Sequence, residues 1–339
     1  MRNAARIIAP LLVAVLVAAG CNAPRQSTPT ATGTVAPSAT PNFAGLSVNI
    51  VTGGQGGVYI IYGAGLADLR TKQLKVNASA ESTAASVANM QLIRDGKAQL
   101  AFTLADTAYD AVQGRTTAFE GKKADAKALA VLYSNYTHII AKEGSGIKTV
   151  ADLKKPALRV SVGAANSGTE VIANRILEAY GIDPAKDFSR ERLGIADSAN
   201  RLRDGGLDAF FWSGGLPTSQ ITELVNSTKI VFVEHTDSIK KMSDKYGPFY
   251  FNATIPKNTY KNDADITVAG VANLLVAPSS LDPALAKAIL QTMFDNKTTL
   301  EAVHPEAKNL KLETATKGSP LDFHPGAIDF YKSKSVWNP

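Results

Sequence analysis

The stretch LSVNIVTGGQGGVY, residues 46–59, decides the fold. Residues 46–51 are β-rich and stop at a turn of Thr and Gly, 52–57. From Val58 onward Ile61, Gly65 and Leu69 share one helical face. The same strand, turn and helix recur outward from there. Residues 74–80 read as a second strand. Residues 84–95 read as a helix that buries Val87, Met90 and Ile93, with Ser82 as its cap. Short apolar strands follow at 99–103, 128–133 and 138–142. A second set holds a short helix at 150–153, strands at 159–162, 207–212 and 230–233, and helices at 169–180 and 196–204. Gly181 stops the first of those helices and Pro217 suits the start of another. Extended segments at 249–255 and 267–276 precede a helix at 282–296 and a helical patch at 322–331. Alternation of this kind predicts an α/β fold with mainly parallel sheets and helices on both faces. Two such sets, the chain returning late to the first, predict a two-lobed clamp. Its expected crossovers lie near 137–142 and 249–255.

The N-terminal residues carry a different message. Arg2 and Arg6 precede an apolar run at 7–19, shorter than the roughly 20 residues of a membrane span. Small residues and then Cys21 follow, so residues 1–20 read as a secretory leader. The ending resembles the bacterial lipoprotein box, which implies lipidation of Cys21, the one cysteine of the chain. Residues 21–42 are rich in Pro, Thr, Ser and Ala and read as a disordered, lipid-anchored linker. The expected localisation is the periplasm or the outer face of the cytoplasmic membrane. Removing the leader, which holds two arginines and no acid, takes the formal charge from +6 to +4. The lysines are scattered, without the basic and aromatic interleaving of a nucleic-acid binder. Roughly 300 residues remain, enough for two lobes.

Ligands of open α/β sheets bind at the carboxyl ends of strands, where helices begin. Four small-residue loops have that position: 52–57, 105–107, 166–170 and 213–215. Helix starts present unpaired N–H groups and partial positive charge, which suits an acid. Each loop also has a plainer use. Ser167 to Glu170 and Asp106 suit helix caps, and Trp212 suits a core. The 52–57 turn lacks the Gly-Lys-Ser/Thr of a phosphate loop. The histidines, His138, His235, His304 and His324, have no metal-binding spacing, and no Gly-x-Ser-x-Gly elbow occurs. No metal, cofactor or catalytic residue is expected. Ser213 before Gly214 reads as a turn.

The run 52–59, the motif 105–109, the segments 159–170, 207–211 and 214–217, and the later FNATIPKNTY (251–260) resemble the TAXI group of TRAP-transporter solute receptors, in order after Phe43. The resemblance implies a type II-like periplasmic binding protein: lobe one at 43–138, lobe two at 139–249, and a return at 250–339. It implies capture of a small organic anion, glutamate-like or dicarboxylate, for TRAP membrane permease subunits. By position, the ligand residues it implies are Thr52, Gly53, Tyr59, Ala105, Asp106 and Thr107 from lobe one. From lobe two they are Ser167, Gly168, Thr169, Glu170, Trp212, Ser213 and Gly214. Ser134 and Tyr136 are expected near the hinge. Tyr59 is assigned a hydrogen-bonding hydroxyl and Trp212 an apolar wall. Ile60 and Leu104 replace polar residues common in that group, which favours a less polar acid. The rival readings are a binding lipoprotein of an ATP-driven importer and, further off, a hydrolytic enzyme.

Overall fold

The computed structural model describes residues 41–338. The leader, Cys21 and the linker as far as residue 40 lie outside them. β1 (Ser47–Val51) leads into α1 (Val58–Leu74), β2 (Asn77–Glu81), α2 (Ser86–Arg94), β3 (Leu100–Leu104) and α3 (Ala105–Gln113). The long β4 (Ala126–Lys142) then opens a second set. This holds β5 (Arg159–Ser161), α4 (Gly168–Ala179), β6 (Ser189–Glu191), α5 (Ile195–Arg203), β7 (Ala209–Gly214), α6 (Ser219–Ser227), β8 (Ile230–Phe232) and α7 (Thr236–Tyr246). β9 (Tyr250–Ile255) and β10 (Ile266–Pro278) follow, then α8 (Pro283–Asp295), α9 (Lys297–Val303) and α10 (Pro325–Ser333).

All ten strands join one sheet, in the order β2-β1-β3-β10-β4-β7-β5-β6, with β8 on β4 and β9 on β10. The β2-β1-β3 and β7-β5-β6 blocks are parallel, as short crossover helices require. Between them β10 and β4 pair antiparallel to each other and to their outer neighbours. β4 passes from β10 to β7 at Tyr136, which pairs with Gly270 on one side and Gly214 on the other. β10 leaves β9 after Val271 and meets β3 from Asn273.

The buried apolar residues form two clusters. The larger joins Ile50, Leu66 and Phe102 to Ile172, Phe211 and Leu274. The smaller joins Ile140, Leu202, Phe210 and Ile221 to Ala253, Ile255, Tyr260 and Val268. Phe102 is fully buried and has Tyr59 and Tyr62 at 5.1 and 5.8 Å between ring centroids. Truncating such a ring to Ala costs about 3–5 kcal/mol.

Three local expectations change. The strands expected at 128–133 and 138–142 are one strand, because the stretch between them is laddered throughout, to β10 as far as Tyr136 and to β7 from there on. Ser82 does not cap α2; its hydroxyl donates to the Gly53 carbonyl at 3.0 Å, and the cap position is Ala85. The helix after Pro217 starts two residues later, behind the cap residue Thr218.

Candidate functional site

A cavity of ≈ 70 Å³ lies where the 52–57 turn, the start of α2, the 163–169 loop, the start of α5 and the end of β7 meet. Four helices begin at it: α1 after Gly57, α2 after Ala85, α4 after Ser167 and α5 after Gly194. Three of these cap positions, Gly57, Ala85 and Gly194, offer no side-chain acceptor to the helix. Their first N–H groups therefore lack a side-chain partner, although the third amide of α2, Ala88, is taken by the Asn166 carbonyl. At Ala85 φ is 85° and ψ −142°, a region that costs a non-glycine residue on the order of 1–3 kcal/mol and marks functional turns. The Thr83 hydroxyl accepts from the Ala85 amide at 3.0 Å and helps hold it there.

The walls come from both parallel blocks. Ser86 accepts the Leu104 amide at 3.1 Å and stands against Gly168. A Cβ at Gly168 would lie 2.6 Å from Leu104 Cδ1 and 2.7 Å from Ser86 Oγ, so only glycine lets α4 start this close to β3 and α2. The Ala88 amide donates to the Asn166 carbonyl at 3.1 Å, a main-chain bond between α2 and the loop before α4. Trp212 is held by its Nε1 donating to Thr218 Oγ1 at 2.9 Å, and its ring tip reaches Gly57.

A chain of amides and hydroxyls runs beside the cavity across the central strands. The Tyr59 hydroxyl donates to Asn273 Oδ1. Asn273 Nδ2 donates to Asn135 Oδ1 at 2.8 Å, and Asn135 Nδ2 to the Ser213 carbonyl at 3.0 Å. The Ser213 amide ends the chain on Thr169 Oγ1 at 3.3 Å. Burial raises the Tyr59 hydroxyl far above its ordinary pKa and does the same to Tyr133. Both stay neutral. Tyr133 lines the cavity, is 4% exposed, and its hydroxyl has no hydrogen-bond partner.

Of the residues named from sequence, Gly53, Tyr59, Ser167, Gly168, Thr169, Trp212, Ser213 and Gly214 line this cavity. The others do not. Thr52 is buried and its hydroxyl donates to the Glu81 carbonyl at 2.6 Å. Asp106 is turned inward: Arg175 donates to its Oδ2 at 3.1 Å and the Tyr250 hydroxyl at 2.7 Å. Its Oδ1 takes the Thr107 amide at 2.6 Å, which occupies Thr107 as well. Arg175 also pairs with Asp110, and its side chain is 5% exposed. Burial opposes the Arg175 charge, but Asp106, Tyr250 and Asp110 outweigh it and raise its pKa. Glu170 accepts Arg190 at 2.7 Å and the Asn166 amide at 3.0 Å, and forms an ion pair with Arg192 at 2.7 Å. Ser167 caps the Glu170 amide at 3.0 Å. Ala105, Ser134 and Tyr136 line a separate depression with Phe249 and Phe251. The pleat explains the last two: Asn135 faces the cavity, so its strand neighbours face away from it.

Sequence reasoning missed Ser86, Tyr133, Asn135 and the Leu193-Gly194-Ile195 turn, all of which line the cavity. Of the two departures noted above, Leu104 lines it and Ile60 does not.

The sequence profile of the NMT1-like family matches residues 50–334. The chain belongs to the NMT1-like family. This NMT1-like chain also shares its fold with solved proteins. One from Bordetella bronchiseptica RB50 is 17% identical at a TM-score of 0.50, with 86% of this chain and 90% of that one covered. The periplasmic aliphatic sulphonate binding protein of Escherichia coli is 16% identical at 0.44, with 86% and 84% covered. The binding protein component of an ABC phosphonate transporter from Pseudomonas aeruginosa is 14% identical at 0.49, with 77% and 79% covered. At these identities the likeness is one of fold: mixed α/β on one central sheet, of the two-lobed type.

Proposed function

We propose that this NMT1-like chain is an extracytoplasmic solute-binding receptor that captures a small organic anion for a membrane importer. The observation that carries the reading is the convergence of four helix starts, two from each parallel block, on one cavity. Helix N-termini solvate acids without a full cation. Trp212 supplies an apolar wall and Tyr133 an additional donor. Membership of the NMT1-like family and the shared fold support the same reading.

For the importer we place an ATP-driven transporter first, because binding proteins of that kind appear among the proteins of like fold. A TRAP-type permease is the second reading and rests on the motif similarity alone, as do glutamate and dicarboxylates as ligands. The lobe assignment, 43–138 with 250–339 against 139–249, is likewise proposed. The packing of Ala253, Ile255, Tyr260 and Val268 with Ile140 and Phe210 favours moving the return into β10. Export and anchoring through Cys21 complete the proposal. No helix among the described residues is long and apolar enough to cross a membrane.

Calorimetry of the full chain against a panel of small acids tests the receptor. Binding of none of them would refute it. Uptake in intact cells then separates the importers: loss on ATP depletion with the ion gradient preserved favours the first, and loss with an ionophore at constant ATP favours the second. Globomycin, which blocks lipoprotein processing, should shift the protein to a heavier precursor if Cys21 is acylated.

A further inference from the structure

We infer that the cavity selects an acid with a single negative charge, a short apolar tail and no ammonium group; this rests on the receptor reading above. Every residue lining the cavity is neutral. A charge placed in it must therefore be met by what the wall offers. One kind of surface consists of donors: the open N–H groups at the starts of α1, α2 and α5, and the Tyr133 hydroxyl, buried and unpartnered. Donors of this kind hold a carboxylate or sulfonate head. The other kind is apolar: Val58, Leu104, Leu193, Ile195 and the Trp212 ring.

A second carboxylate laid against that apolar surface loses its water and gains no cation, so it weakens binding. An ammonium fares no better. Glu170, next to the lining residue Thr169, is already paired with Arg190 and Arg192, and Asp106 with Arg175; neither they nor Asp197 in the first turn of α5 line the cavity. Three carbonyls of the 52–57 turn already have donors. Thr52 accepts Asn89 Nδ2 at 2.5 Å, Gly53 accepts Ser82 at 3.0 Å, and Gly54 accepts the Gly57 amide at 3.3 Å.

The test is calorimetry of the full chain with butanoate, propane-1-sulfonate, glutarate and L-glutamate at neutral pH, repeated on Tyr133→Phe. We expect butanoate or propane-1-sulfonate to bind about ten-fold or more tighter than both glutarate and glutamate. Which of the two wins identifies the head group, and either supports the inference. Tyr133→Phe should weaken the preferred acid about ten-fold while its unliganded melting temperature stays close to that of the parent. Tighter binding of glutarate or glutamate overturns the inference and leaves the receptor reading standing. Silence toward all four acids, in a chain that melts cooperatively, overturns both. Unchanged affinity in Tyr133→Phe overturns the assignment of that hydroxyl as a donor.

Discussion

The candidate cavity and the Arg175 cluster both lie beside the starts of helices, yet they are built on opposite rules. In the cluster one buried cation, Arg175, is enclosed by two carboxylates, Asp106 and Asp110, and the Tyr250 hydroxyl. In the cavity every side chain is neutral and donors are left over. The interior therefore uses its charge to fasten α3 to α4 and leaves dipoles at the cavity, where the proposed receptor would hold its solute. An acid in a helix-start motif faces a ligand only when no buried cation claims it first.

The contrast can be broken at several points. The largest effect is expected from Arg175→Met, which leaves Asp106 and Asp110 buried without a counter-charge. Urea denaturation should show a loss of about 3–5 kcal/mol, and a loss below about 1 kcal/mol would dismiss the cluster as a structural fastener. Next comes pH. His138 and His235 are buried, which pushes each down to about 4, from an ordinary value of about 6.5. His235 Nε2 accepts the Ala269 amide at 3.0 Å and must be unprotonated to do so. Above pH 6.5 both imidazoles are neutral in the folded and unfolded chain. Between about 6.5 and 4 only the unfolded chain takes the proton. Stability should fall with pH across that window, by up to about 3 kcal/mol per histidine. Replacing His235→Gln should flatten part of the slope.

Tyr59→Phe is expected to cost stability first, about 1–3 kcal/mol, because Asn273 Oδ1 loses its donor. Thermal melting checks this. The smallest effect belongs to Thr169→Ala, which removes the acceptor of the Ser213 amide at the cavity wall. Affinity for the preferred acid should drop by about 1 kcal/mol with the fold intact. Unchanged calorimetry would exclude Thr169 from the site.

The strand–helix order was legible because hydrophobic spacing is local, and so were the turns at 52–57, 166–170 and 213–215. The turn at 105–107 misled for a physical reason. α3 starts directly where β3 ends, so Asp106 swings into the interior and meets a cation 69 residues away in sequence. Nothing near Asp106 announces that partner. Ser134 and Tyr136 lie one step of the pleat away from the cavity-lining Asn135; the parity of a strand cannot be fixed until one residue is anchored. Asn135 and Tyr133 were recoverable from that same alternation. Ser86 and Gly194 were not, because their roles arise only when α2, α4 and α5 converge.

The two central strands have a mechanical consequence. β4, with 17 residues, and β10, with 13, run unbroken through the middle of the sheet and bind each other along most of their length. A joint made of paired rails bends like a torsion bar, by small rotations spread over many peptides, and no ladder bond has to snap. The register slips at Asn273/Leu274 and Leu275/Val276 are where the rails are already wrung. Flexing should concentrate there, at the very residue, Asn273, whose amide steadies Tyr59.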